Sequence, residues 1–324
     1  MREFDFAAAD TVRQALNLSG TDSAYLAGGT TLVDLMKLDV VGPAHVVDIN
    51  ALPLTGVTAS ADGLHIGALS RMSDVAVDPK ITAAFPVVAQ ALLASASPQL
   101  RNMASIGGNL LQRTRCDYFR DVASPCNKRV PGSGCPAQTG TNRSHAILGT
   151  STSCAATHAS DVAVAFVALG ASIRLRGRTG QRTVLLDDFY QLPGTTPDVE
   201  NVLRPGELIT EIVLPPLSWA RTSSYLKVRD RQSYDFALSS VALAVNRHGG
   251  TIADARIAVG GVATKPWRLP AVEAALQGRP ATEATYQAAA KSAVIGAIPL
   301  SENGFKVTLV QRAIVRALVE LVGA

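Results

Sequence analysis

The chain is poor in aromatic residues, 5% of its 324 positions, and only 17% of its residues are charged. No hydrophobic run approaches the roughly 20 residues a membrane helix needs. The best candidate, VAVAFVAL, covers only positions 162–169. The opening MREFDFAAADTV carries acidic residues and no apolar core of the kind an export leader has, so none is expected there. A net charge of +4 is too small to imply nucleic acid as a partner. The sequence has no GxGxxG, GxxxxGK[ST] or HExxH stretch, no Ser-His-Asp order and no paired catalytic carboxylates. What it does have is 47% hydrophobic residues, which excludes a disordered chain, and a length that predicts two or three domains.

Strands and short helices alternate along the chain without regular βαβ spacing, which predicts an α+β fold. A helix is expected over 10–17, capped by Asp10, then a short strand ending at Ala27 and a helix over 30–38. VVDI (46–49) and LHIG (64–67) read as strands, and Ser70 as the cap of a short helix ending before Pro79. Residues 81–95 are helical in composition, with Pro86 kinking or restarting the helix. Ser160 should cap a helix over 161–169, and 171–177 alternates like a strand, with VLLDDF and ELITEIVLP continuing the strand pattern. Two prolines at 215–216 suggest a boundary near 220. Beyond it come three strands, helices near 270–277 and 283–291, and a closing helix over 305–322.

The four cysteines, Cys116, Cys126, Cys135 and Cys154, all fall within 116–154, spaced C-x9-C-x8-C-x18-C. They sit in or beside an irregular stretch rich in Pro, Gly, Asn and Ser, a loop too long to stand unsupported in a compact domain. Structural zinc favours close C-x2-C pairs, and none is present. The wide spacing suits a larger object, such as a [4Fe–4S] cluster bound from separate loop arms. Two disulfides and four unrelated thiols stay open on this evidence. The stretch 111–145 is basic: Arg113, Arg115, Arg120, Lys128, Arg129 and Arg143 against Asp117 and Asp121. Such cations would offset a negative thiolate–iron complex, or form a solvated surface for a partner.

Two glycine segments complete the pattern. AGGTTLVDL (27–35) puts Gly28, Gly29, Thr30 and Thr31 at a strand-to-helix junction, and SIGGNL (105–110) repeats the chemistry with Ser105, Gly108 and Asn109. Glycines allow close approach to a ligand, and free amides at a helix start suit a phosphate. Each segment is equally readable as an ordinary turn.

Taken together, AGGTTLVDLMK, RNMASIGGNLLQRTRC, HASDVAVAFVALGA and YLKVRDRQSYDFALSSVALAV resemble the FAD-binding, medium subunit of the xanthine dehydrogenase and aldehyde oxidoreductase family of molybdenum hydroxylases. The resemblance covers nearly the whole chain. CDYFRDVASPCNKRVPGSGCPA and ILGTSTSCAATHASD further resemble the subgroup of periplasmic aldehyde oxidoreductases whose flavin subunit also holds a [4Fe–4S] cluster.

The resemblance implies an α+β, PCMH-type FAD-binding domain over 1–220 in two subdomains, with an iron–sulfur insert at 111–155, and a C-terminal α+β domain over 221–324. It implies that Leu26, Ala27, Gly28, Gly29, Thr30, Thr31 and Leu32 wrap the FAD pyrophosphate, with Ser105, Gly108 and Asn109 completing the cradle. Asp161 would bind ribityl or ribose hydroxyls, Lys227 would lie near the isoalloxazine, and Ile209 would give it an apolar contact. Cys116, Cys126, Cys135 and Cys154 would ligate the [4Fe–4S] cluster, leaving His158 a local hydrogen-bonding role. The implied partners are a large molybdenum-cofactor subunit, a small [2Fe–2S] subunit and an external electron acceptor. Electrons would pass through FAD on this chain, in a periplasmic complex exported by a partner's signal or in a cytoplasmic one. A flavin subunit resembling that of 4-hydroxybenzoyl-CoA reductase and a metal-stapled scaffold without redox function are the alternatives.

Overall fold

The computed structural model describes residues 1–323. Its helices and strands are mixed, and the strands form three sheets.

The first sheet joins β1 (Asp5–Ala8), β2 (Ser23–Leu26) and β3 (His45–Asp48) in the order β1-β3-β2, with both pairings parallel. Helices Val12–Leu18 and Leu32–Lys37 make its crossovers. This small βαβ unit departs from the expectation of no such spacing. Its strands are four residues long; β2 and β3 fall where strands were expected, whereas DFAA in β1 has no β-branched residue to signal it. The first helix is capped by Thr11 rather than Asp10: the Thr11 hydroxyl accepts the Gln14 amide at 3.2 Å.

The second sheet is antiparallel: β4 (Val57–Ser60), β5 (Gly63–Gly67), β6 (Ser172–Gly177), β7 (Gly180–Leu185) and β8 (Leu208–Leu214), in the order β4-β5-β8-β6-β7. Ser70 caps no helix; its hydroxyl pairs with Gly56 instead, and helix Met72–Val77 starts without a side-chain cap. Pro86 restarts a helix as expected, dividing Pro79–Ala84 from Pro86–Ala94. VLLDDF is strand only as far as Leu185, and Leu186–Phe189 turns helical.

Helix Asp161–Leu169 is buried along its whole length, as an all-apolar helix must be. The Ser160 hydroxyl accepts the Ala163 amide at 3.0 Å, and Gly170, at φ 72°, ends the helix. The helix packs against Pro86–Ala94 on one side. On the other it meets the third sheet: β9 (Ser223–Val228), β10 (Ser239–His248), β11 (Thr251–Gly260) and β12 (Trp267–Arg268), in the order β12-β11-β10-β9. One apolar core therefore runs from Ile173 and Ile212 through Phe166 to Ala242 and Ala258. A second core lies between the third sheet and helices Pro270–Leu276, Glu283–Ala290 and Phe305–Val322, the last spanning the predicted residues.

Candidate functional site

Two cavities open beside the first glycine segment. One, of about 470 Å³, is lined by Tyr25, Ala27, Gly28, Gly29, Leu32 and Ser105 among others. The second, of about 400 Å³, is lined by Asp34, Asn109, Asp161, Lys227, Tyr234 and Phe236 among others. Both are lined by Thr30, Thr31 and Gly108, so they meet at the two predicted glycine segments. Thr31 stands at the start of helix Leu32–Lys37, where its hydroxyl makes no capping bond. The first amides of a helix have no partner within it.

The glycines have reasons of their own within the chain. A β-carbon at Gly28 would sit 2.0 Å from the Met103 carbonyl oxygen, so Gly28 lets the two segments touch. Gly29 has a left-handed φ of 71°. At Gly108 a β-carbon would lie 2.8 Å from the Ser105 hydroxyl, which caps the Gly108 amide at 3.2 Å. Asn109 ties the segment to the buried helix by accepting the Ser160 hydroxyl at 2.5 Å. Leu26 lines neither cavity. Nor does Ile209, which is 4% exposed and packed in the sheet core; core packing accounts for it without a ligand.

Asp161 is a hub. Its carboxylate accepts the Tyr225 hydroxyl at 2.6 Å, the Ser95 hydroxyl at 2.9 Å and the Lys227 ammonium at 2.8 Å. The Asp161 and Lys227 side chains are 8% and 4% exposed. Lys227 also donates to the Ala94 carbonyl at 3.1 Å, which leaves one of its three N–H groups for the cavity it lines. Burial, reinforced by the negative Asp161, pushes the Tyr225 phenol well above its ordinary value, which keeps it a donor. Sequence reasoning named Asp161 and Lys227 for roles toward a flavin and did not name Tyr225, which joins them here. The strand alternation held the signal, because Tyr225 and Lys227 lie two apart on β9 and share a face.

The cysteine-bearing insert is irregular apart from the short turns Asp117–Arg120 and Pro136–Gln138. Its cations have partners. Arg113 and Lys128 pair with Glu200, Arg115 and Arg120 with Asp34, and Arg143 with Asp230. The Arg120 bond to Asp34 holds that carboxyl below its usual range, and Arg143 does the same for Asp230. Arg129 donates to the carbonyls of Tyr118 and Phe119 at 3.0 and 2.7 Å.

All four cysteines are free and line one small pocket, with Phe119, Lys128 and His145 in its wall. Among the described residues, no group of three or more His, Cys, Asp or Glu is arranged to hold a single metal ion. Four thiols lining one pocket is the donor set an iron–sulfur cube requires, one sulfur to each iron. Burial pushes the Cys116 thiol up to about 12 and raises Cys154 as well, so a cluster would have to displace their protons. His158 is half-buried and edge-on to Tyr190, with ring centroids 4.6 Å apart. Burial, with the Lys128 charge adding to it, drops its ring to about 3, so it stays neutral and accepts the Ser160 amide at 3.3 Å.

Both parts of the chain are matched in known proteins. Residues 2–217 match the FAD binding domain in molybdopterin dehydrogenase, and 224–321 match the CO dehydrogenase flavoprotein C-terminal domain. The chain belongs to this family of flavoprotein subunits of molybdopterin dehydrogenases. It is 48% identical over 301 residues to the aldehyde oxidoreductase FAD-binding subunit PaoB of Escherichia coli, covering 91% of this chain and 90% of that one. It is 33% identical to the glyceraldehyde dehydrogenase medium chain of Sulfolobus acidocaldarius, covering 86% and 82%. A solved carbon monoxide dehydrogenase from Hydrogenophaga pseudoflava superposes at a TM-score of 0.77 with 28% identity, covering 99% of this chain and 97% of that one. Among the described residues no helix is long and apolar enough to cross a membrane.

Proposed function

We propose that this chain is the FAD-holding electron-transfer subunit of a molybdenum-dependent aldehyde oxidoreductase. The observation that carries the reading is the meeting of two large cavities at Thr30, Thr31 and Gly108. A dinucleotide has its pyrophosphate in the middle and an aromatic group at each end, and this groove has small and hydroxyl residues in the middle and room at each end. The cavity beside Lys227 takes the flavin end, and the cavity beside Tyr25 and Leu35 takes the adenosine end. On this reading residues 1–220 form the flavin-binding part, with the insert at 111–155, and 221–324 form the C-terminal domain.

Bound FAD supplies one- and two-electron exchange, and the protein's part is position and electrostatics. Lys227 offers its remaining N–H toward the flavin, while Asp161 fixes the ammonium and balances its charge. The ribityl role proposed for Asp161 is confined to the one acceptor position its three donors leave. Cys116, Cys126, Cys135 and Cys154 hold a [4Fe–4S] cluster in the cavity they share. The aldehyde assignment follows the two relatives named above. The partners on this reading are a large molybdenum subunit and a small iron–sulfur subunit, with an external acceptor taking electrons from the flavin.

The test is anaerobic purification with co-expressed partner subunits. One FAD, and about four irons and four labile sulfides on this chain, are expected. Cys126→Ser should lower iron and sulfide together and leave FAD in place, because the groove lies outside the insert's cysteine cavity. A colourless or zinc-bearing chain, or aldehyde oxidation by the isolated flavin-loaded chain, would defeat the assignment.

A further inference from the structure

We infer that His145 is a positioning residue for the cysteine cavity, donating its Nε2–H to the Cys116 sulfur and raising the reduction potential of the cluster proposed there. The inference rests on the cluster reading above but concerns a residue that reading does not use.

His145 Nε2 lies 3.3 Å from Cys116 Sγ. The residue is 4% exposed, and its Nδ1 is buried without a hydrogen-bond partner. The sulfur is therefore the ring's sole polar contact. A neutral imidazole has one N–H. With the proton on Nδ1, a buried donor would go unmet, a rare arrangement in folded proteins. With it on Nε2, the donor faces the sulfur and only an acceptor is orphaned.

The ring is also held in place from behind. The His145 amide donates to the Asn142 carbonyl at 2.9 Å. Its carbonyl accepts Asn303 Nδ2 at 3.2 Å and Lys306 Nζ at 3.0 Å. Lys306 is fully buried and also binds the carbonyls of Ser144 and Gly261, at 2.8 and 2.7 Å. Asn142, buried too, bridges to Ser301 and Glu302. The entry to the C-terminal helix thus fixes the backbone that carries the ring. Contact with Tyr118 is looser, with ring centroids 6.3 Å apart. Tight backbone fixation and one polar contact mark a hydrogen-bond donor rather than a space filler.

A donor to a ligand sulfur draws negative charge from it and stabilises the reduced, more negative cluster. Removing it should lower the midpoint potential without removing iron. The test uses the complete complex, purified anaerobically, with His145→Phe (ring kept, donor lost) and His145→Gln (a side-chain N–H kept). Iron and sulfide are assayed, and the midpoint is read by redox titration followed by electron paramagnetic resonance.

For His145→Phe the oxidised-to-reduced ratio at a fixed potential should rise about tenfold, a fall of about 59 mV for one electron. His145→Gln should recover at least half of that. An iron-replete His145→Phe with an unmoved midpoint overturns the inference, as does a glutamine variant shifted as far as phenylalanine. Loss of iron from both variants also overturns it, because His145 would then be scaffold or ligand. If only His145→Phe loses iron, the glutamine midpoint decides: one near the unaltered value supports the inference, and a tenfold shift ends it. An unaltered complex with no iron and sulfide beyond what its small iron–sulfur subunit holds defeats the cluster reading and this one together, whereas iron-replete variants with fixed midpoints defeat only the role of His145.

Discussion

Asp161→Ala tests the hub between the flavin groove and the two domains. The change removes the acceptor for Lys227, Tyr225 and Ser95 at once. Ser95 retains the Ala91 carbonyl at 2.9 Å, and Lys227 retains Ala94. The main loss is the counter-charge of a nearly buried ammonium. Removing one partner of a buried ion pair costs about 3–5 kcal/mol. Lys227 borders a cavity of about 400 Å³, room enough for water, which argues for the lower end. About 3 kcal/mol is a large share of a total stability on the order of 5–15 kcal/mol. Lys227→Met should cost less, because the carboxylate keeps two hydroxyl donors. The double variant should then lose less than the sum of the singles, with a coupling on the order of 2 kcal/mol. Urea unfolding of the flavin-free chain, followed by circular dichroism and tryptophan fluorescence, measures all three. Asp161→Ala costing under about 1 kcal/mol, or strict additivity, would refute the buried pair as a structural element.

Gly28→Val should fail to give soluble protein, because its side chain meets the Met103 backbone. Gly108→Ala meets only the Ser105 hydroxyl and should give folded, FAD-poor chain, read by flavin-to-protein ratio alongside circular dichroism. Burial, with the nearby Arg143 adding to it, pushes the Lys306 ammonium down to about 7. An unfolded lysine titrates near about 10.4. The unfolded chain therefore binds more protons between these values, and stability should rise with pH across that window. Lys306→Met should abolish the rise. It should also cost roughly 2 kcal/mol at neutral pH, by leaving the Gly261 carbonyl unmet and taking one donor each from those of Ser144 and His145, when unfolding is compared at pH values inside and below the window.

Much of the fold was legible because its signals are local. Ser160 before an apolar run, Pro86 within one and the uninterrupted 305–322 helix all appear where the sequence placed them. In the first sheet β2 and β3 were legible, but β1 was not, since the four residues DFAA carry too little pattern. The glycine segments and the four cysteines were visible as residue types at unusual density. Their purpose was only partly visible. Gly28 proves to serve a contact with Met103, and the donors around Asp161 come from Ser95 and Tyr225, 66 and 64 residues away. His145 sits 29 residues from Cys116, and nothing in the intervening sequence announces the contact.

The insert shows what a residue count alone cannot separate. Its six cations suggested compensation for a cluster, and its lack of apolar pattern suggested that the cluster itself orders the loop. In the fold, five of those cations pair with Glu200, Asp34 and Asp230, all outside the insert, and Arg129 binds carbonyls within it. Phe119 and Asn142 are buried, at 1% and 0% exposure, and anchor it further. An exposed pair such as Arg143–Asp230 contributes about 0–1 kcal/mol. The Lys128–Glu200 pair is more buried, and the whole set acts at several points along the loop. For Cys126→Ser the expected outcome is therefore that iron is lost while residues 116–145 remain largely closed to protease. Limited proteolysis of the iron-free variant beside the unaltered chain, with fragments mapped by mass spectrometry, checks this. Slow cleavage in both would assign the loop's order to its ion pairs and buried anchors. Rapid cleavage between 116 and 145 in the variant alone would return that role to the cluster. Adding Glu200→Gln to Cys126→Ser should then speed cleavage, since Glu200 holds Arg113 and Lys128 on both sides of the first two cysteines.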